Sequence, residues 1–135
     1  YSEINCYENA LKFDAKLALA WYNLGVVGGG TVDGAKYSEI NCFENALTYD
    51  AKYAMAWYNL GVEGGGTVDG VKYSEINCYE NALKFDAKLA LAWYNLGVVG
   101  GGTVDGAKYS EINCFENALT YDAKYAMAWY NLGVE

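Results

Sequence analysis

The sequence contains no histidine, no arginine, no proline and no glutamine. Without histidine, the Ser-His and Cys-His arrangements of nucleophilic catalysis cannot be built. Cationic charge is also scarce: nine lysines, spread along the chain, stand against seventeen carboxylates and leave a formal net charge of −8. Duplex and single-strand binding rely on Lys and Arg to release counterions from phosphates, so no nucleic-acid partner is expected. The longest apolar run, Leu17 to Tyr22, falls far short of the roughly 20 residues that a membrane span requires, and no membrane partner is expected. No signal peptide and no Asn-x-Ser/Thr sequon are visible, and the first residue is Tyr1 rather than an initiator methionine. These features suggest a piece of a longer array. The cellular location is left unknown, with an intracellular or recombinant context fitting best.

What the chain has instead is repetition. Tyr1, Tyr37, Tyr73 and Tyr109 open the same word, giving a period of 36 residues and repeats at 1–36, 37–72, 73–108 and 109–135. The words alternate, YSEINCYENALKFDAKLALAWYNLGVV with YSEINCFENALTYDAKYAMAWYNLGVE, and residues 1–63 are identical to residues 73–135. The true unit is therefore a 72-residue tandem pair. Such perfect copying points to very recent duplication or to deliberate construction, and construction is favoured because natural arrays drift at surface positions. Within each word the apolar residues follow a helical period. Ile4, Tyr7, Leu11 and Ala18 form one stripe, with Ala10, Phe13, Leu17, Trp21 and Leu24 beside it. Ser2 suits a helix N-cap, although Asn5 stands where a capping box usually has glutamate. Between words lies GGGTVDG at 28–34, 64–70 and 100–106. Three glycines, each costing about 1 kcal/mol against alanine in a helix, stop it there. The expected order is helix, glycine stop, turn, helix.

The segment AWYNLG, Ala20 to Gly25 and its copies, followed by Tyr/Phe-x-x-Ala-Leu, resembles the tetratricopeptide repeat (TPR). Trp21, Leu24 and Gly25 match that family's helix A signature, and Phe43, Ala46 and Leu47 match helix B. The resemblance covers nearly the whole chain. It implies an all-α helix-turn-helix solenoid that presents surfaces for protein–protein interaction. The Sel1-like repeats, with a 36-residue period and a YNLG helix start, are the runner-up, but the Ala46-to-Trp57 spacing is that of ordinary TPRs.

Two departures stand out. The A-to-B turn is two residues longer than the 34-residue standard and rich in glycine. The family's Asp-Pro at the end of helix B is replaced by Asp14-Ala15, Asp50-Ala51, Asp86-Ala87 and Asp122-Ala123. Proline breaks a helix by lacking an N–H and clashing with the preceding turn, whereas alanine is the best helix former. Two architectures follow. Packing either keeps the B-to-A bend in a superhelical solenoid, the favoured case, or fuses helices B and A into long helices. Tyr37 to Val62 would then span about 39 Å at 1.5 Å per residue and pair between chains or in a swapped dimer.

Repeat arrays bury apolar faces against neighbours and use polar caps at their ends. No such cap is visible here: the first helix is B-type and the last A-type, and those faces are complementary. Self-association into a homo-oligomer or fibre-like stack is expected, through Tyr1, Ile4, Tyr7 and Leu11 at one end and Trp129, Tyr130 and Leu132 at the other.

Other chemistry finds little support. Cys6, Cys42, Cys78 and Cys114 recur once per repeat, too far apart for disulfides between packed helices and without zinc-ligand spacing; they read as small core residues. GGGTVDG lacks the lysine and Ser/Thr of a phosphate loop, and its Val32-Asp33-Gly34 suits a turn. One aspartate per loop is too few for calcium. Carboxylates such as Glu3 and Glu8 read as a solvated face. No catalytic residue, metal or cofactor is therefore assigned, and no enzyme is expected. The positions that the family uses to hold extended peptides correspond here to Leu19, Tyr22, Asn23 and Val26, Met55, Tyr58, Asn59 and Val62, then Tyr94 and Asn95. Asn23, Asn59, Asn95 and Asn131 would form a ladder for a peptide backbone, in an aromatic, near-neutral groove without the lysines and arginines of a carboxylate clamp. The leading expectation is a non-enzymatic repeat scaffold that associates with itself. The alternative is a natural interaction module holding a protein or peptide in its groove.

Overall fold

The computed structural model describes residues 1–134, as four helix pairs separated by three β-hairpins. In chain order these are α1 (Glu3–Phe13), α2 (Ala18–Val26), β1 (Gly30–Val32), β2 (Ala35–Tyr37), α3 (Glu39–Tyr49) and α4 (Ala54–Val62). Then follow β3 (Gly65–Val68), β4 (Val71–Ser74), α5 (Glu75–Phe85), α6 (Ala90–Val98), β5 (Gly102–Val104), β6 (Ala107–Tyr109), α7 (Glu111–Tyr121) and α8 (Ala126–Val134). Every extensive contact joins elements of the same or the adjacent repeat, so the fold is an all-α-type helical-repeat solenoid with short β-hairpins inserted.

Each longer helix starts at a serine. The Ser38 hydroxyl accepts from the Asn41 amide N–H at 3.1 Å, and Asn41 Oδ1 accepts from the Ser38 N–H at 3.2 Å. Asparagine thus completes the capping box in the place of the usual glutamate, and the same exchange recurs at Ser74 and Ser110.

The long fused helices do not form. α3 ends at Tyr49 and α4 begins at Ala54, and the other repeats break at the same place. Three contacts substitute for the missing proline. Asp50 leaves the helix at φ −144°, ψ 89°. Its carboxylate accepts from the Lys52 N–H at 3.1 Å, and its carbonyl accepts from Tyr53 at 3.2 Å, closing a β-turn. The Trp57 indole N–H then donates to the Ala51 carbonyl at 2.8 Å. That indole is itself buried, so packing and turn hold each other in place. An uninterrupted helix would strand the tryptophan away from this carbonyl.

GGGTVDG is more than a turn. Thr31 pairs with Lys36, and Val32 with Ala35 across a two-residue loop. Asp33 and Gly34 both take positive φ, at 48° and 81°, as a type I′ hairpin turn requires. The hairpin buries Val32 and swings Tyr37 edge-on against Trp21, with ring centroids 4.7 Å apart. Glu8 reaches up from α1 to accept the Thr31 N–H at 2.6 Å, and Glu44 and Glu80 do the same for Thr67 and Thr103.

The core is one continuous row of Leu, Ala, Trp, Phe/Tyr and Cys from successive repeats. Phe13, placed on the apolar stripe by its spacing, is instead exposed at the end of α1, while its counterpart Phe85 is half-buried.

Candidate functional site

The most extensive helix pairings are α2 with α3, α4 with α5, and α6 with α7, the junctions between repeats. Their closeness depends on a glycine. A Cβ on Gly61 would lie 2.6 Å from the Tyr79 ring, and Gly25 and Gly97 stand in the same relation to Phe43 and Phe115. The AWYNLG glycine therefore sits where the next repeat's aromatic ring presses against the helix backbone. Burial raises the pKa of the Tyr79 hydroxyl, the nearby Glu75 carboxylate adds to this, and the hydroxyl donates to Glu75 at 3.2 Å.

The second junction contact is the asparagine ladder. Asn59 Nδ2 donates to the Tyr22 hydroxyl at 3.2 Å, Asn95 to Tyr58 at 3.2 Å, and Asn131 to Tyr94 at 3.1 Å. These amides bind the preceding repeat, so one of the two N–H groups expected to face a peptide is already engaged. Tyr22 and Tyr94 also stack on Tyr53 and Tyr125, at 4.8 and 4.9 Å, whereas Tyr58 meets a leucine-bearing repeat at the equivalent place. The 72-residue alternation thus produces two kinds of junction.

Around this ladder the remaining groove candidates are unevenly open. Leu19, Val26 and Val62 are exposed; Tyr22, Asn23, Met55, Tyr58, Asn59, Tyr94 and Asn95 are half-buried. A small hollow of about 160 Å³ between Gly25, Val26, Phe43, Asn59 and Val62 also has Glu39 and Glu63 in its wall. A hydrogen bond shared with Glu39, assisted by burial and by the Glu39 charge, raises the Glu63 pKa. The groove is accordingly acidic at this repeat rather than near neutral. Glu39 was missed in the sequence because it belongs to the following helix, and only the superhelix brings it beside α4.

The end-face candidates show what a junction normally covers. Trp57 is 3 % exposed and its counterpart Trp129 is 59 % exposed. Tyr130 is exposed and Leu132 half-buried, while nothing lies within 4 Å of a Cβ built on Gly133. At the other end Tyr1 and Ile4 are exposed and Tyr7 is half-buried. Leu11 departs from expectation: it is fully buried under α2 and contributes nothing to the open face.

The buried thiols of Cys42, Cys78 and Cys114 are pushed up by burial, with a nearby glutamate adding to it, to about 12, 12 and 11. They are free core residues. Hollows of about 510, 430 and 540 Å³ lie beside the three hairpins. They make poor anion sites. The Gly28 and Gly29 N–H groups donate to the Gly25 and Leu24 carbonyls, and the Thr31 N–H is held by the Glu8 carboxylate. Among the described residues, no group of three or more potential ligands converges as a metal site, and no helix is long and apolar enough to cross a membrane. The sequence matches no protein-family model and no curated protein.

Proposed function

We propose that the chain is a non-catalytic repeat scaffold of the tetratricopeptide kind, whose activity is association by stacking one repeat on the next. The observation that carries this reading is the junction: a bare glycine backbone against an aromatic ring, repeated three times and flanked by an Asn–Tyr rung. TPR membership is supported by the burial of Trp21, Leu24, Gly25, Phe43, Ala46 and Leu47, the residues that carry the resemblance. Identity between residues 1–63 and 73–135 favours an engineered array. Stacking leaves chemically matched faces at α8 and α1, which suits head-to-tail contact. A swapped dimer loses its basis, since it needed helices that run unbroken through Asp50-Ala51.

Tryptophan emission tests this reading. Trp21, Trp57 and Trp93 are buried and Trp129 is open, so association shifts the emission to the blue as concentration rises. A spectrum independent of concentration contradicts stacking at that face.

One observation favours a second reading. Leu19, Val26 and Val62 remain exposed beside the half-buried Tyr–Asn ladder, as in a groove for an extended peptide. Replacing Tyr22 and Tyr58 should then abolish capture of a peptide while leaving the solution mass unchanged.

A further inference from the structure

We infer that two copies of this chain join in one register, α8 of one copy against α1 of the next, reproducing the internal α4–α5 junction. This rests on the association reading above and specifies its joint. Residues 109–135 repeat 37–63 and residues 1–27 repeat 73–99, so the two outer faces carry the same side chains as the two sides of that junction. They do not repeat the α2–α3 junction, where phenylalanine replaces tyrosine against the glycine.

Each unmatched group on one face has its partner on the other. Trp57 packs edge-on against Tyr73 at 4.7 Å. One 72-residue unit away, Trp129 is uncovered and Tyr1 of a second copy is free to cover it. Tyr58 accepts from Asn95. Tyr130 accepts from no asparagine, and Asn23 is the ladder asparagine without a tyrosine, so a joint closes the missing rung. Gly61 receives the Tyr79 ring, while Gly133 faces open space and Tyr7 stands outside a junction. Cys78 is buried at the internal junction and Cys6, its counterpart, is exposed.

The joint is incomplete in one respect. Residues 64–72, the hairpin between α4 and α5, have no counterpart across it. A notch of about 360 Å³ between Glu116, Leu119, Thr120, Trp129 and Leu132 marks the place that β3 fills beside α3 and α4. The joint is therefore weaker than the internal junction, and the assembly is polar, since head-to-tail contacts are heterologous.

Sedimentation velocity on the 135-residue chain and three variants tests this. Gly133→Leu has room in the single copy but meets the Tyr7 ring in the joint, so it should weaken association more than tenfold without lowering the thermal midpoint. Tyr7→Asp should block the opposite face. Each of these two variants alone stays monomeric, and an equimolar mixture of them gives a dimer and nothing longer, because one intact face of each kind remains. A chain lengthened by a copy of residues 64–72 at its C-terminus fills the notch and should associate at least tenfold more tightly. If Gly133→Leu associates as the parent does, the register is wrong although association stands. If the parent stays monomeric at every concentration, the association reading itself falls, and the joint with it.

Discussion

Gly61 and Gly133 occupy the same place in the repeat, and alanine at each separates junction packing from helix propensity. Both glycines lie in nine-residue helices, α4 and α8. Alanine gains about 1 kcal/mol over glycine inside a helix and less in a fraying last turn. At Gly133 nothing opposes that gain. At Gly61 the new methyl would stand 2.6 Å from Tyr79 Cε1 and 3.1 Å from Cys78 Cβ. The ring would have to retreat by roughly 1 Å, a shift that strains a packed core. It has nowhere to go, being buried and tied to Glu75. Overpacking of this kind costs about 1–3 kcal/mol. Gly61→Ala should thus come out neutral to about 2 kcal/mol destabilised, and Gly133→Ala slightly stabilised. Circular dichroism melts at a concentration low enough to keep single copies would read the difference, at roughly 3–6 °C per kcal/mol for a chain of this length. Repeat arrays can unfold in steps, so the same transition must be compared in both. Equal midpoints for the two variants would refute the claim that the junction glycine is kept for the approaching ring.

Ala51→Pro should stabilise the chain by about 0.4–1 kcal/mol, because Asp50 is already extended and residue 51 is the first central position of a β-turn; a lower urea midpoint would contradict this account of the bend. Glu44→Ala removes a charge-assisted bond to the β3 hairpin and should cost about 1–2 kcal/mol, whereas Glu116→Ala, which has no hairpin above it, should be neutral in the same denaturation assay. Of the four thiols, Cys6 should react rapidly with a disulfide reagent at pH 8 and the other three only on unfolding; fast reaction of all four would show a loose core. The raised thiol values also set a pH dependence. A thiol that ionises near 9 when unfolded and near 12 in the fold stabilises fully below pH 9, and that stability is lost as pH climbs from 9 toward 12. Melts at pH 7.5, 9 and 10.5 should show midpoints falling only above about 9.

The helices are legible because a 3.6-residue apolar period marks them and a serine before each longer one states where it begins; the shorter helices carry no such cap. The hairpins are not. Asp33-Gly34 between Thr-Val and Ala-Lys-Tyr is a two-residue hairpin signal, but three preceding glycines drew the reading toward a plain turn. The B-to-A bend was left open because its determinant is tertiary: an indole N–H bonding a carbonyl six residues back only once the core has formed. The candidate surface was partly readable. Glycine, tryptophan and aromatic positions can be matched by spacing, but the stacking partners Tyr53 and Tyr125 and the acceptor Glu75 carry no such signal. The Asn–Tyr rungs are not legible because the partners lie 37 residues apart in the sequence. Leu11 was placed at an open face for a related reason, since a single stripe does not say which of its residues the next helix covers. Glu39 required the superhelix to come near Val62.

The central claim is that this chain associates through the face that its own repeats use internally. Light scattering over a hundredfold range of concentration tests it most directly, with Gly133→Leu measured alongside. The account predicts a mass that grows steadily with concentration for the parent and stays at 14.8 kDa for the variant. A parent mass fixed at one value throughout the range would contradict it.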